Sequence, residues 1–164
     1  MALDETDLDA LVSEAAGILD EAAIPFVSGH GADSAVQKKG NDFATEVDLA
    51  IERQVVQALV SRTGIGVHGE EFGGADIDSP LVWVLDPIDG TINYAAGLPT
   101  AAILLALVRD GQPVAGLTWL PFTDTRFTAV VGKPLYANGE SISAPPNSSP
   151  CTPIPVRETS ACTT

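Results

Sequence analysis

Three short stretches of this 164-residue chain bring together residue types that can do chemistry. Asp86-Pro87-Ile88-Asp89-Gly90-Thr91 follows directly on the apolar run Leu81-Val82-Trp83-Val84-Leu85. A proline-set turn at that point would aim the carboxylates of Asp86 and Asp89 at one place, with the Ile88 carbonyl facing the same way. Oxygen donors of this kind suit a hard cation such as Mg²⁺, which keeps several waters. Gly90 and Thr91 then open a short helix, Ile92 to Ala96, and free N–H groups at a helix start hold phosphate well. Gly69-Glu70-Glu71 supplies further carboxylates after a short strand, and Asp48 stands in the first turn of a helix. Metal-binding carboxylates would thus lie beside an anion cradle.

Taken singly, each piece has an ordinary explanation. Asp-Pro and Asp-Gly pairs make turns, adjacent glutamates sit in solvated loops, and an aspartate three residues after Thr45 caps a helix. His68 reads as a strand-edge or core residue, and Lys38 and Lys39 as solvated unless the fold carries one toward a phosphate.

The elements that must position these groups are legible from periodicity. Leu8, Leu11, Val12, Ala15, Ala16, Leu19, Ala22 and Ala23 have helical spacing, so residues from about 7 to 23 form an amphipathic helix with Asp4, Glu5, Asp7 and Asp9 at its start. Pro25, Gly29 and Gly31 are expected to end it. A second helix buries Val47, Ile51, Val55, Ala58 and Leu59; Thr45 and Asp48 form its capping box, and Gly64 and Gly66 stop it. Strands follow at 81–85, 101–108, 113–120 and 126–131, with turns at Arg109-Asp110-Gly111-Gln112 and Asn138-Gly139. Helices first and strands afterwards predict an α+β fold, two N-terminal helices packed on an antiparallel sheet.

Composition narrows the function classes. Asp and Glu outnumber Lys and Arg 22 to 8, for a net charge of −14, so no basic stripe is present to meet a nucleic acid or an anionic membrane. An acidic protein that handles an anionic substrate needs a local positive charge, and a bound cation supplies one. The longest apolar run, Ala101 to Val108, is too short to span a bilayer, and the acidic start is unlike a signal peptide; both point to the cytoplasm. Cys151 and Cys162 alone make neither a disulfide framework nor a four-ligand zinc site. No twelve-residue loop supports a calcium-buffering module.

The string Asp-Pro-Ile-Asp-Gly-Thr with Asn93-Tyr94 after it, Gly69-Glu70-Glu71 upstream, the block Asn41 to Asp48, and Leu135-Tyr136-Ala137-Asn138-Gly139 together resemble the inositol monophosphatase family over roughly residues 5–144. That resemblance implies the N-terminal half of a layered α/β/α/β/α fold and a Mg²⁺-dependent phosphatase of small-molecule phosphate monoesters; a homodimer is a separate expectation, from the apolar face that a missing second portion would leave uncovered. The resemblance implies that Glu70, Asp86 and the Ile88 carbonyl hold a first Mg²⁺, and that Asp86 and Asp89 contribute to a second. Thr91 and Asp48 would hydrogen-bond the attacking water with Glu70 near a further ion, while Gly90 and Thr91 hold the phosphate and Asp89 touches a substrate hydroxyl. The ions would neutralise phosphoryl charge and activate the water. Histidinol-phosphatase, fructose-1,6-bisphosphatase and phosphoadenosine phosphatase activities share this metal core, and a non-catalytic metal-binding fragment is a reading of another class.

The resemblance also sets an expectation about extent. Family chains continue into a second α/β portion with a Trp-Asp motif that completes the second metal site, and no Trp-Asp pair occurs here. Residues 145–164 are instead rich in Pro, Ser and Thr, with no Leu or Phe. The expectation is a metal- and phosphate-binding domain over 1–144, a tail from 145 that is disordered or out of frame, a chain truncated before the second portion, impaired hydrolysis, and an uncovered apolar face.

Overall fold

The computed structural model describes residues 5–31, 36–37 and 43–143. Lys38, Lys39, Asn41, Asp42, the segment 145–164 and both cysteines lie outside the described residues.

The first helix, α1 (Glu5–Ser28), buries Leu8, Ala15, Ile18, Leu19, Ala22 and Phe26 on one stripe. It runs past Pro25, contrary to the expected stop. A proline inside a helix removes one hydrogen bond and crowds the preceding turn, yet here packing prevails. Phe26 is fully buried, its ring meets Tyr94 edge-on at 5.0 Å, and its carbonyl accepts the Tyr94 hydroxyl. The chain leaves the helix at Gly29, whose N–H reaches Pro25 O at 3.0 Å. A Cβ at Gly29 would lie 2.5 Å from Val47.

The short strands β1 (Val36–Gln37) and β2 (Phe43–Ala44) pair as an antiparallel ribbon. Helix α2 (Glu46–Thr63) follows with the predicted capping box intact, and Gly64 closes it in the left-handed conformation at φ 71°. Its buried face comprises Asp48, Ile51, Glu52, Val55 and Leu59, two of them acidic. Arg62, in its last turn, bridges to Glu14 and Glu21 of α1 at 3.4 and 2.9 Å.

The remaining strands are β3 (Val67–Gly69), β4 (Gly73–Gly74), β5 (Leu81–Asp89), β6 (Ala102–Arg109), β7 (Gln112–Leu120), β8 (Thr125–Val130), β9 (Leu135–Ala137) and β10 (Glu140–Ile142). They form one sheet in the order β10-β9-β8-β7-β6-β5-β3-β4. The class is α+β as predicted, but the sheet is mixed. β3 and β5 run parallel, because the outer strand β4 first carries the chain back and β5 starts again from the same end as β3. Positive φ at Asp110 and Gly111, and at Asn138 and Gly139, builds the two predicted tight turns between β6 and β7 and between β9 and β10.

Both long helices lie on one face of the sheet. Trp83 and Leu85 of β5, Ile103, Leu105 and Leu107 of β6, and Leu117 and Trp119 of β7 point toward them and form one core with α1 and α2. The opposite face carries Val84, Leu104, Ala106 and Phe127, which are only half-buried.

Candidate metal and phosphate site

The end of β5 differs from its sequence-based reading in a way that matters for the site. Asp86-Pro87-Ile88-Asp89 is not a tight turn; it is the continuation of the strand, interrupted by a bulge. Asp86 stands opposite Leu104 and Asp89 opposite Ala102, so three steps on β5 match two on β6. Residues two apart on β6 share a face, and the inserted residue therefore brings Asp86 and Asp89 to the same side of the sheet, where regular alternation would have separated them. Pro87 is tolerated because a bulge leaves a residue without a ladder partner. The turn itself comes at Gly90, at φ 92°, where a Cβ would sit 2.9 Å from Thr100 O. A side chain there would meet both a strained backbone and a carbonyl. Helix α3 (Thr91–Ala95) begins immediately after it.

The Asp86 carboxyl lies close enough to the Glu70 carboxyl for the two to interact, with Asp89 near enough to act electrostatically. Burial, the Glu70 carboxyl and the Asp89 charge raise the Asp86 carboxyl from 3.8 to about 8. Glu70 reaches this point because its N–H extends the parallel ladder to Leu85 O at 3.0 Å, placing it beside the start of the bulge. Among the described residues no group of three His, Cys, Asp or Glu side chains closes into a finished metal cage. The gathered acids are a pair in contact with a third alongside.

Asp48 is capping residue and site residue at once. One carboxyl oxygen accepts the Thr45 N–H at 2.8 Å and the Thr45 hydroxyl, while the other faces the Thr91 hydroxyl at 3.1 Å. Thr91 Oγ1 also lies 3.0 Å from the Ile88 carbonyl, so its single proton has two competing acceptors. Asp48 is buried, at 1 % exposure, and links the start of α2 to the start of α3. Asp48→Ala is expected to cost about 2 kcal/mol of stability, through the lost cap and the stranded Thr45 groups. Urea denaturation would read it; a loss below about 0.5 kcal/mol would show that the network contributes nothing.

Of the sequence-predicted residues, the structure thus brings Glu70, Asp86 and Asp89 together on one side and Asp48, Ile88 and Thr91 together on the other, joined through the bulge and Gly90. His68 belongs to β3, with Nδ1 2.9 Å from Ala75 O. Glu71 contributes its main chain to the site's framework: its N–H donates to Glu52 Oε2 at 2.8 Å, and the Phe72 N–H donates to Oε1 at 2.8 Å. Sequence reading passed over Glu52. The available signal was its position four residues after Asp48 and three before Val55, on the buried stripe of α2. A groove of about 630 Å³ begins at Glu70 and Asp86 and runs across the outer sheet face past Leu104 and Phe127 to Leu135.

A half-layered α+β fold with a carboxylate pair on a bulged strand end and a capped helix behind it defines a class of acidic, oxygen-donor sites. Comparison with known proteins gives that class a family. A model of the inositol monophosphatase family matches residues 3–163, past the composition change at 145. The chain belongs to the inositol monophosphatase family. It is 71 % identical over 148 residues to inositol-1-monophosphatase ImpA of Mycolicibacterium smegmatis, covering 90 % of this chain and 53 % of the relative. It is 74 % identical over 129 residues to a probable inositol 1-monophosphatase ImpA of Mycobacterium tuberculosis, covering 79 % and 48 %. The solved structure of an IMPase from Thermotoga maritima superposes with a TM-score of 0.76 at 29 % identity, over 86 % of this chain and 56 % of that one. The chain spans about half the length of these relatives. Among the described residues, no helix is long and apolar enough to cross a membrane.

Proposed function

We propose that this chain carries the metal- and phosphate-binding side of a Mg²⁺-dependent phosphatase that hydrolyses small phosphate monoesters of the inositol phosphate kind. The observation that carries the reading is the meeting of the Glu70 and Asp86 carboxyls with Asp89 on the same face. The substrate class rests on the relatives named inositol-1-monophosphatase.

The donor set fits the metal. Carboxylates and a main-chain carbonyl are the hard oxygen ligands Mg²⁺ takes, and like charges pressed together on a partly desolvated face are stabilised by a cation. Glu70, Asp86, Asp89 and the Ile88 carbonyl are the groups that would hold it. A bound Mg²⁺ supplies charge neutralisation at the phosphoryl oxygens and a lowered pKa for an attacking water. The remaining roles belong to the chain. Thr91, when its proton is turned to Asp48, presents oxygen lone pairs to a water proton, and Asp48 fixes the direction of that hydroxyl. The main-chain N–H groups of Gly90 and Thr91, at the start of α3, orient a phosphate. Asp89, exposed at the strand end, receives a substrate hydroxyl. Together these groups position the water and the phosphate before any bond changes.

The test is calorimetric titration of the 164-residue chain with Mg²⁺ or Mn²⁺, beside Asp86→Asn and Glu70→Gln. Outer-shell changes already cost 10–100-fold in metal affinity, so loss of either ligand is expected to weaken binding about 100-fold or more. Unchanged binding in both variants would remove the assignment.

A further inference from the structure

We propose that Glu52 is the positioning residue of the acidic site: it clamps the main chain after Glu70 so that the Glu70 carboxyl is held against Asp86. This rests on the metal-site reading above and assigns a role to a buried acid that the reading does not use.

The geometry has four parts. Glu52 is fully buried, at 0 % exposure, and both of its carboxyl oxygens are acceptors. They take the successive N–H groups of Glu71 and Phe72, each at 2.8 Å. Gly69, the residue before Glu70, passes so close that a Cβ would lie 2.1 Å from Glu52 Oε1. The neighbouring Arg53 sets its guanidinium 4.8 Å from the centre of the Phe72 ring. Glu70 is therefore fixed from both sides. Its own N–H is tied to Leu85 O on β5, and the next two amides are tied to α2. Only its side chain is left to project, exposed, toward Asp86.

A carboxylate suits this task better than its relatives. Two parallel N–H groups need two acceptors; glutamine offers one oxygen and would turn an NH₂ toward the second donor. An apolar residue in this core position would avoid desolvating an acid altogether, so the carboxyl's presence is explained by the loop it holds. Because Asp48 lies one turn earlier on the same helix, α2 fixes Thr91 with one acidic side chain and the loop bearing Glu70 with the other.

The test compares Glu52→Gln with Val55→Ala, a truncation at a fully buried position of the same helix whose apolar side chain offers no acceptor to the loop amides. Three quantities are read on the 164-residue chain: Mn²⁺ affinity by calorimetry, thermal stability, and hydrogen exchange of the Glu71 and Phe72 amides. Glu52→Gln is expected to weaken Mn²⁺ binding about tenfold or more and to release the two amides to exchange. Val55→Ala is expected to lower stability while keeping Mn²⁺ affinity within about twofold of the parent. In the unsubstituted chain without metal, both amides are expected to be protected like strand amides although Phe72 is 52 % exposed. That measurement decides the matter even if Glu52→Gln does not fold, since rapid exchange there overturns the clamp. Parent-like Mn²⁺ affinity in folded Glu52→Gln overturns it too, as does equal weakening by Val55→Ala. If Asp86→Asn destroys metal binding while Glu52→Gln preserves it, the clamp alone fails; if Asp86→Asn binds metal normally, the metal-site reading and the clamp fail together.

Discussion

Asp86→Asn is expected to flatten the pH dependence of stability between pH 4 and pH 8 in the absence of divalent ions. The sign follows from the site. Folding raises the Asp86 carboxyl from 3.8 to about 8, first through burial and then through Glu70 and Asp89. The folded chain therefore keeps a proton that the unfolded chain has already released across this window. Stability linked to that proton is fully present below the unfolded value, falls as pH rises, and is gone above about 8. An asparagine carries no such proton. The difference between parent and variant denaturation curves, measured at several pH values in EDTA, isolates this one group from the other acids. Adding Mg²⁺ should reverse the trend for the parent, because a cation favours the ionised carboxyl. The displaced proton should appear as a buffer-dependent binding enthalpy. Parallel pH profiles for parent and variant would show that the carboxyls are not held together as described.

Trp83→Ala should give the largest loss of stability at any single core position. Trp83 is the largest fully buried side chain, in the middle of β5 with α2 above it. Its Nε1 donates to Thr63 Oγ1 at 3.3 Å. The Thr63 hydroxyl itself donates to Leu59 O at 2.7 Å and accepts the Ile65 N–H, so one threonine ties the end of α2 to the centre of the sheet. Truncating a buried tryptophan costs about 3–5 kcal/mol, a large share of the 5–15 kcal/mol typical of a folded domain. A fall in Tm of about 10 °C or more is expected for a chain of this size. Trp83→Phe, which keeps most of the apolar volume and loses the N–H, should fall well short of that. A shift of less than about 2 °C for the alanine variant would mean that the β5–α2 contact is not where the stability resides.

Local chemistry was legible where a few adjacent residues settle the matter. Thr45 and Asp48 announce the start of α2, Gly64 its end, and Asp110-Gly111 and Asn138-Gly139 their hairpins, because each depends only on side-chain reach or on φ. The misreadings arose where tertiary partners outvote local preference. Pro25 should break a helix, and does not, because Phe26 one residue later has a pocket and a hydroxyl partner waiting. Asp86 to Asp89 looked like a turn because Pro and Asp-Gly favour one; the β6 partners Leu104 and Ala102 show a bulge instead. The parallel β3–β5 pair depends on where β4 leads the chain, which no period in the sequence encodes. Glu52 was overlooked for a related reason: a glutamate at a core phase of a helix is informative only once the amides it serves, 19 and 20 residues away, are in view. For the candidate site, residue types and spacing singled out the Glu70-Glu71 pair, Asp86 and Asp89, and the family resemblance pointed to Glu70 of that pair, while the bulge that puts Asp86 and Asp89 on one face came from the fold alone.

The two rims of the sheet have a consequence for the solution behaviour of the molecule. One rim is β4, only Gly73 and Gly74, at φ 68° and 115°; the other is β10, three exposed residues led by Glu140. An incoming strand would find a rung or two at the first rim, on glycine backbone at positive φ, and a negative charge at the second. Among the described residues, fibril-like growth by strand addition thus meets a poor template at either rim, even though eight strands lie hydrogen-bonded side by side between them.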